Sequence, residues 1–203
     1  MIYDVTPTVT PRLAVWPGDT PPTREVLLDL ARGDNLTLST LRATVHLGAH
    51  ADAPSHYGMD APTMEARSLD YYLGPCQVVH VAAKRKQRIS LPDFRPRAQR
   101  MLIATGTYPD PDNFNADFAA YDPAFIDRLH EQGVRLIGTD TPSIDLFESK
   151  DLPSHHAVLR HDMAVLETLV LRDVPDGVYE LIALPLKLAG FDASPVRAIL
   201  RSL

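Results

Sequence analysis

The run Val45-His46-Leu47-Gly48-Ala49-His50-Ala51-Asp52-Ala53-Pro54-Ser55-His56 holds three of the chain's eight histidines and one aspartate within eleven residues. Three imidazoles and a carboxylate are the ligands Zn²⁺ prefers where cysteine is absent. Every separation among His46, His50, Asp52 and His56 is even, so an extended chain puts all four on one face. A straight strand would still hold His46 roughly 20 Å from Asp52, at about 3.3 Å per residue. Zinc–nitrogen bonds are only about 2.0–2.1 Å long, so shared ligation requires the chain to fold back. Gly48 permits a positive φ or a bulge, and Pro54 ends any ladder. A helix would set His46 and His50 one turn apart, which is also a ligand geometry, although Gly48 and Pro54 weigh against it. The plainer alternative is a surface loop with scattered polar residues. The small and apolar residues Val45, Leu47, Ala49, Ala51 and Ala53 argue for burial instead, and buried histidine and aspartate need partners.

Around this run lies an ordinary globular composition, 45% hydrophobic and 23% charged over 203 residues, with no internal repeat. That fits one domain over residues 1–203. A net charge of −6 argues against a general nucleic-acid surface. No apolar run approaches the ~20 residues of a membrane span. Met1-Ile2-Tyr3-Asp4-Val5 lacks the basic start and apolar core of a signal peptide. With Cys76 as the only cysteine, no intrachain disulfide forms. A cytoplasmic protein is expected.

Strand-like runs cover Thr37–His46, Cys76–Ala82, Met101–Thr105, Val134–Thr139 and Val178–Pro185. A helix should start after Asp122 as its cap, with Pro123 in the first turn, and run to about Gln132 with Gly133 as its stop. Ala193–Leu203 reads as a second, short helix starting at Ser194-Pro195. The mixture predicts an α/β domain.

The histidine run resembles the His-x-Gly-Thr-His-x-Asp-x-Pro-x-His motif of the cyclase-type metal-dependent hydrolases, and within them the bacterial kynurenine formamidases. Ala49 stands where that motif has Thr. Further segments are similar in the same order: Val15-Trp16-Pro17-Gly18-Asp19-Thr20-Pro21, Gly138-Thr139-Asp140-Thr141-Pro142-Ser143-Ile144-Asp145, Leu152-Pro153-Ser154-His155-His156, Leu166-Glu167, and Ala183 through Ala198. The resemblance implies a swivelling β/β/α architecture with a central mixed sheet, two zinc ions per chain and a homodimer. It implies that Asp52 and Glu167 bridge the ions, that His46 and His50 complete the first, and that His155 completes the second. His156 is then the neighbour turned away. His56 is left free for proton transfer, or is a further nitrogen ligand. Trp16, in a Pro-Gly loop, either stacks on an aromatic substrate or plugs the loop. Taken singly, Glu167 could face solvent and His155 could cap a helix.

The activity so implied is hydrolysis of an aryl formamide, N-formyl-L-kynurenine, to kynurenine and formate in tryptophan breakdown. Two other readings remain open. One is a different amide or cyclic-amide hydrolase on the same scaffold, and the other is a non-catalytic metal-binding protein. A serine or cysteine nucleophile is not indicated, because Cys76 has no neighbouring base and no Gly-x-Ser-x-Gly elbow occurs.

Overall fold

The computed structural model describes residues 1–203. Its strands are β1 (Ile2–Asp4), β2 (Thr23–Leu28), β3 (Leu38–Arg42), β4 (His50–Asp52), β5 (Leu73–His80), β6 (Arg88–Ile89), β7 (Arg100–Ala104), β8 (Ala120–Tyr121), β9 (Leu136–Thr139), β10 (Ala164–Glu167), β11 (Gly177–Ile182), β12 (Ala193–Pro195) and β13 (Ile199–Ser202). Two helices accompany them, α1 (Pro123–Glu131) and α2 (Pro153–Arg160). Nine strands make one mixed sheet in the order β1-β13-β11-β5-β7-β9-β10-β4-β12. β5, β7, β9 and β10 run parallel in its middle, and antiparallel strands flank them on both sides. The expected α/β domain with a central mixed sheet is therefore present.

The middle strands are buried on both faces, as continuous apolar runs such as Met101-Leu102-Ile103-Ala104 require. Met101, Ile103, Ile137 and Val165 join Phe125, Ile126 and Leu129 of α1 and Ala157 and Val158 of α2 in one core. The intervening Leu102, Leu136, Ala164 and Leu166 join a second core. That second core also holds Ala51 of β4 and Leu181 of β11, although four strands separate β4 from β11 in the sheet. The sheet therefore curls until its flanks share one interior.

α1 begins and ends as predicted. Asp122 caps it by accepting from the Phe125 amide at 3.1 Å, and Gly133 takes φ +87° beyond its end. Strands occur where expected at β5, β7, β9 and β11, with shifted ends. The expected Thr37–His46 strand is shorter, reduced to β3. It pairs only with β2 in a separate two-stranded hairpin that leaves Leu27, Leu38 and Leu41 exposed.

The C-terminal expectation is wrong. Ala193–Leu203 is not a helix but the two strands β12 and β13. β12 pairs with β4 through Ala193–Asp52, Ser194–Ala51 and Pro195–His50, and β13 lies between β1 and β11. Ser194-Pro195 looks like a helix start, but pairing with two buried flanks outweighs that local signal. Pro195 is tolerated because β12 is an edge strand. No helix is long and apolar enough to cross a membrane.

Candidate metal centre

Strand alternation builds the floor of the site. His50 and Asp52 lie two apart on β4 and share a face, while Ala51 between them enters the apolar core. β10 runs beside β4, with Glu167 opposite His50 and Val165 opposite Asp52. Cross-strand pairing thus delivers the Glu167 carboxylate to the two β4 side chains. α2 packs over the same face and supplies His155. All four residues are buried, with 1–3% of their surface exposed. Glu167 does not face solvent, and the Ala49 side chain packs in the apolar core with Ala51 and Ala53.

His46 does not belong to this strand. It precedes Gly48, which takes φ +56° in a tight place: a Cβ there would meet the Pro7 side chain at 3.1 Å and the Leu13 side chain at 3.2 Å. The turn brings His46 back so that its Nδ1 lies 3.2 Å from Asp52 Oδ1. Pro54 opens a single 3-10 turn, Pro54–His56, which returns His56 over His46 with ring centroids 4.3 Å apart. Both predicted reversals occur, but only His46 and His56 need them.

Each carboxylate divides its oxygens. Asp52 Oδ1 faces His50 Nε2 at 3.5 Å and Asp52 Oδ2 faces His155 Nε2 at 3.5 Å. Glu167 Oε2 lies 3.4 Å from His50 Nε2, and Oε1 lies 3.5 Å from His155 Nε2. Yet the buried atoms His50 Nε2, Asp52 Oδ1 and Asp52 Oδ2 make no hydrogen bond. Orphaned polar atoms at this depth are costly unless a shared partner exists. Their nitrogen and carboxylate chemistry fits a metal ion. Three overlapping donor groups are close enough to hold one: His46, His50 and Asp52; Asp52, His155 and Glu167; and, at the more exposed rim, His46, His56 and Asp192.

The electrostatics agree. Burial opposes charge on His155, but Asp145, Asp52 and Glu167 outweigh it and hold its pKa well above the ordinary range. Burial likewise opposes charge on His46, yet Asp52 and Asp192 raise it to about 9. Asp52 is held well below the usual carboxylate range despite burial, because His155 and His46 face it. The cluster thus attracts positive charge, which a bound cation provides with release of protons.

Two supporting carboxylates were not singled out from sequence. Asp145 accepts from the backbone amides of Ser154 at 3.0 Å and His155 at 3.0 Å. It therefore caps α2, whose Leu152 at the cap position has no side-chain acceptor. The same Oδ2 lies 2.9 Å from His155 Nδ1, turning Nε2 to the cluster. His155 lies inside the first turn and does not cap the helix itself. His156 is exposed on the helix. Gly48 O plays the orienting part for His50, 2.8 Å from its Nδ1. Asp192 stands at the rim, 3.0 Å from His46 Nε2. Asp192 is 146 residues from His46, and Asp145 is ten residues from His155 across an irregular segment, so no periodic spacing marks either.

Above the cluster lies a cavity of about 340 Å³, lined by Trp16, His46, His56, Phe114, Leu152 and Asp192 among others. Its size and mixed lining suit a small molecule. Trp16 is half-buried. It leans on Phe147, Phe114 and Phe118 at centroid distances of 5.0, 5.6 and 6.2 Å, so the loop is anchored while the indole still meets the cavity. Thr168, next to Glu167, also lines it and takes φ +56°, a strained conformation for a β-branched residue. Cys76 is buried and far from nucleophilic use, since burial pushes its thiol pKa up.

The cyclase family model, described as "Putative cyclase", matches residues 3–146. A kynurenine formamidase of Bordetella petrii is 47% identical over 207 aligned positions, covering 100% of this chain and 98% of that protein. A solved structure described as a potential metal-dependent hydrolase with cyclase activity superposes with a TM-score of 0.84 at 27% identity, covering 98% of this chain and 96% of the other. A predicted metal-dependent hydrolase from Bacillus stearothermophilus gives 0.82 at 27% identity, with 98% and 97% covered. Sequence match, fold and donor cluster converge: this chain belongs to the cyclase family and is a hydrolase.

Proposed function

We propose that residues 1–203 form one hydrolase unit that cleaves N-formyl-L-kynurenine to L-kynurenine and formate, a step of tryptophan breakdown, with two zinc ions per chain. The observation that carries this reading is the pair of buried carboxylates, each turning one oxygen to His50 and the other to His155. Bridging carboxylates between two nitrogen-bearing ends suit two ions held a few ångströms apart. Asp52 and Glu167 would be shared between the ions, His46 and His50 would hold the first, and His155 would hold the second. Zinc is favoured by three imidazoles with carboxylates and no thiolate. The formamide substrate is supported by the 47% identical kynurenine formamidase.

Bound zinc supplies Lewis acidity, enough to bring the pKa of water to about 7. The chain's own residues do the rest. Trp16 stacks on the aryl ring and orients it in the cavity. His56, with 37% of its side chain exposed at the rim, takes the proton from the attacking water and delivers it to the departing aryl amine. His50 and His155 keep their orientation through Gly48 O and Asp145.

The chain works as a homodimer in the cytoplasm. Support for the dimer comes from the β2–β3 hairpin, whose exposed Leu27, Leu38 and Leu41 lie on a two-stranded ribbon of a kind that is marginal alone in water. Light scattering tests it, and a monomer at micromolar concentration refutes it.

Assay of N-formylkynurenine, simple formanilides and cyclic amides, with elemental analysis of the purified protein, tests the whole reading. Hydrolysis of the formamides with two zinc ions per chain is expected. Turnover of cyclic amides alone, or a saturating stoichiometry of one, refutes it.

A further inference from the structure

Asp192 belongs to neither proposed ligand set, yet it stands between two of the histidines. Its Oδ2 lies 3.0 Å from His46 Nε2 and 3.4 Å from His56 Nδ1. These two imidazoles are its ion-pair partners, and no lysine or arginine competes for it. The backbone fixes its place. Asp192 O accepts from the Ala53 amide at 2.8 Å, and the next residue, Ala193, pairs with Asp52 in the β12–β4 ladder. The carboxylate is thereby anchored to the strand that carries His50 and Asp52, while staying 47% exposed at the cavity rim.

The geometry at His46 separates its two nitrogens. Nδ1 lies 3.2 Å from Asp52 Oδ1, the oxygen that His50 Nε2 also faces. Nε2 is turned the other way, to Asp192. An imidazole that gives one lone pair to an ion carries its proton on the other nitrogen, and that proton needs an acceptor. At His56 the same oxygen lies 3.4 Å from Nδ1, a longer contact than the one to His46, which puts Nδ1 on the Asp192 side of the ring and Nε2 on the other.

Resting on the ligand and proton-transfer roles proposed above, we infer that Asp192 is a positioning residue shared by the metal site and the acid–base group. It holds His46 with Nε2 turned to the rim and Nδ1 turned to Asp52, where an ion would be held, and it holds His56 in the Nδ1–H tautomer. In that tautomer His56 Nε2 takes the proton from water and returns it to the amine nitrogen, with no net change at Asp192. One carboxylate oxygen thus ties the orientation of a ligand to that of the group that moves the proton.

The test uses the zinc-loaded wild type, Asp192→Asn, Asp192→Ala, His56→Ala and the double variant Asp192→Asn/His56→Ala. The readouts are kcat and KM for N-formylkynurenine and the rate of zinc transfer to a chelator. Loss of an orienting partner to a ligand typically weakens metal affinity or activity about 10–100-fold. Both Asp192 variants should therefore lower kcat by about that factor with KM little changed, and should transfer zinc faster. The double variant should lose less than the product of the single losses, because both substitutions act through one ring. Wild-type kcat and zinc transfer in Asp192→Asn would overturn the proposal. So would loss of a whole zinc equivalent, which would make Asp192 a ligand together with His46 and His56, a group close enough to hold an ion. Losses that multiply fully in the double variant would overturn the link to His56. If the wild type binds zinc but leaves the formamide intact, the substrate reading fails instead, and zinc transfer still decides the part played at His46.

Discussion

The floor and the rim of the site are built by different means. His50, Asp52 and Glu167 are placed by the register of two adjacent strands, and His155 by a helix packed on them; all are almost wholly buried. His46, His56, Asp192 and Trp16 come from turns and loops, and side-chain contacts join them, with Asp192 also tied to β4 through its backbone. Moving a floor residue means breaking backbone pairing. The rim side chains lie outside the strands and are more exposed. A rigid floor suits ions that must keep a fixed separation, and an adjustable rim suits a substrate that enters, reacts and leaves.

If Asp52 serves both ions, Asp52→Ala should have the largest effect, with both ions and all measurable hydrolysis lost. His155→Ala should lose one ion. Elemental analysis distinguishes them, and equal loss in both, or loss in His155→Ala alone, breaks the assignment of Asp52 as a bridge. At the rim, His56→Ala should keep both ions yet lose about 10²–10⁴-fold in rate, the usual worth of general acid–base help. The deficit should shrink for formamides whose amine leaves easily. A variant purified without metal would move His56 into the ligand set, and a fully active one would end its part in proton transfer.

A smaller effect is expected beneath the floor. Asp145→Asn should weaken zinc binding about 10–100-fold, measured by chelator competition. It should also change acid stability. Burial opposes the Asp145 charge, but His155 and the amides of α2 bring its pKa from 3.8 to about 2. Such a depressed group stabilises the fold above its unfolded pKa, and the contribution disappears as pH falls through about 2. The variant should therefore lose less stability than the wild type between about pH 4 and pH 2 in metal-free protein; parallel acid unfolding curves would contradict this. The smallest effect belongs to Trp16→Ala. An aromatic contact contributes about 0.5–1.5 kcal/mol beyond area burial, so KM should rise several-fold while zinc content stays constant. An unchanged KM would leave Trp16 as a loop anchor only.

Much of this division is readable from the chain, unevenly. His46, His50, Asp52 and His56 are close in sequence, so their gathering is a local matter of even spacing plus Gly48 and Pro54. Glu167 and His155 were found through similarity, because a glutamate in an apolar run looks the same whether it ends on solvent or beside a neighbouring strand. β4 itself was not foreseen as a strand: three residues are too few to show a period, and its pairing with β10 and β12 is long-range. The same pairing explains the misread C-terminus. Ser194-Pro195 carries a genuine helix-start signal, and the partners at His50–Asp52, β1 and β11 override it. Asp145 and Asp192 were missed as supports because each acts on a histidine that the fold, and not the spacing, brings near.

The insertion of β4 between β10 and β12 also sets an order of events during synthesis. His50 and Asp52 are made long before either flanking strand, and Glu167 and Asp192 come more than a hundred residues later. Until the last third of the chain is available, the early histidines have Asp52 beside them but neither the flanking strands nor Glu167 and Asp192. Contacts this distant along the chain close slowly. The cluster of four buried side chains is therefore completed late, when β10 closes on β4 and α2 packs over it.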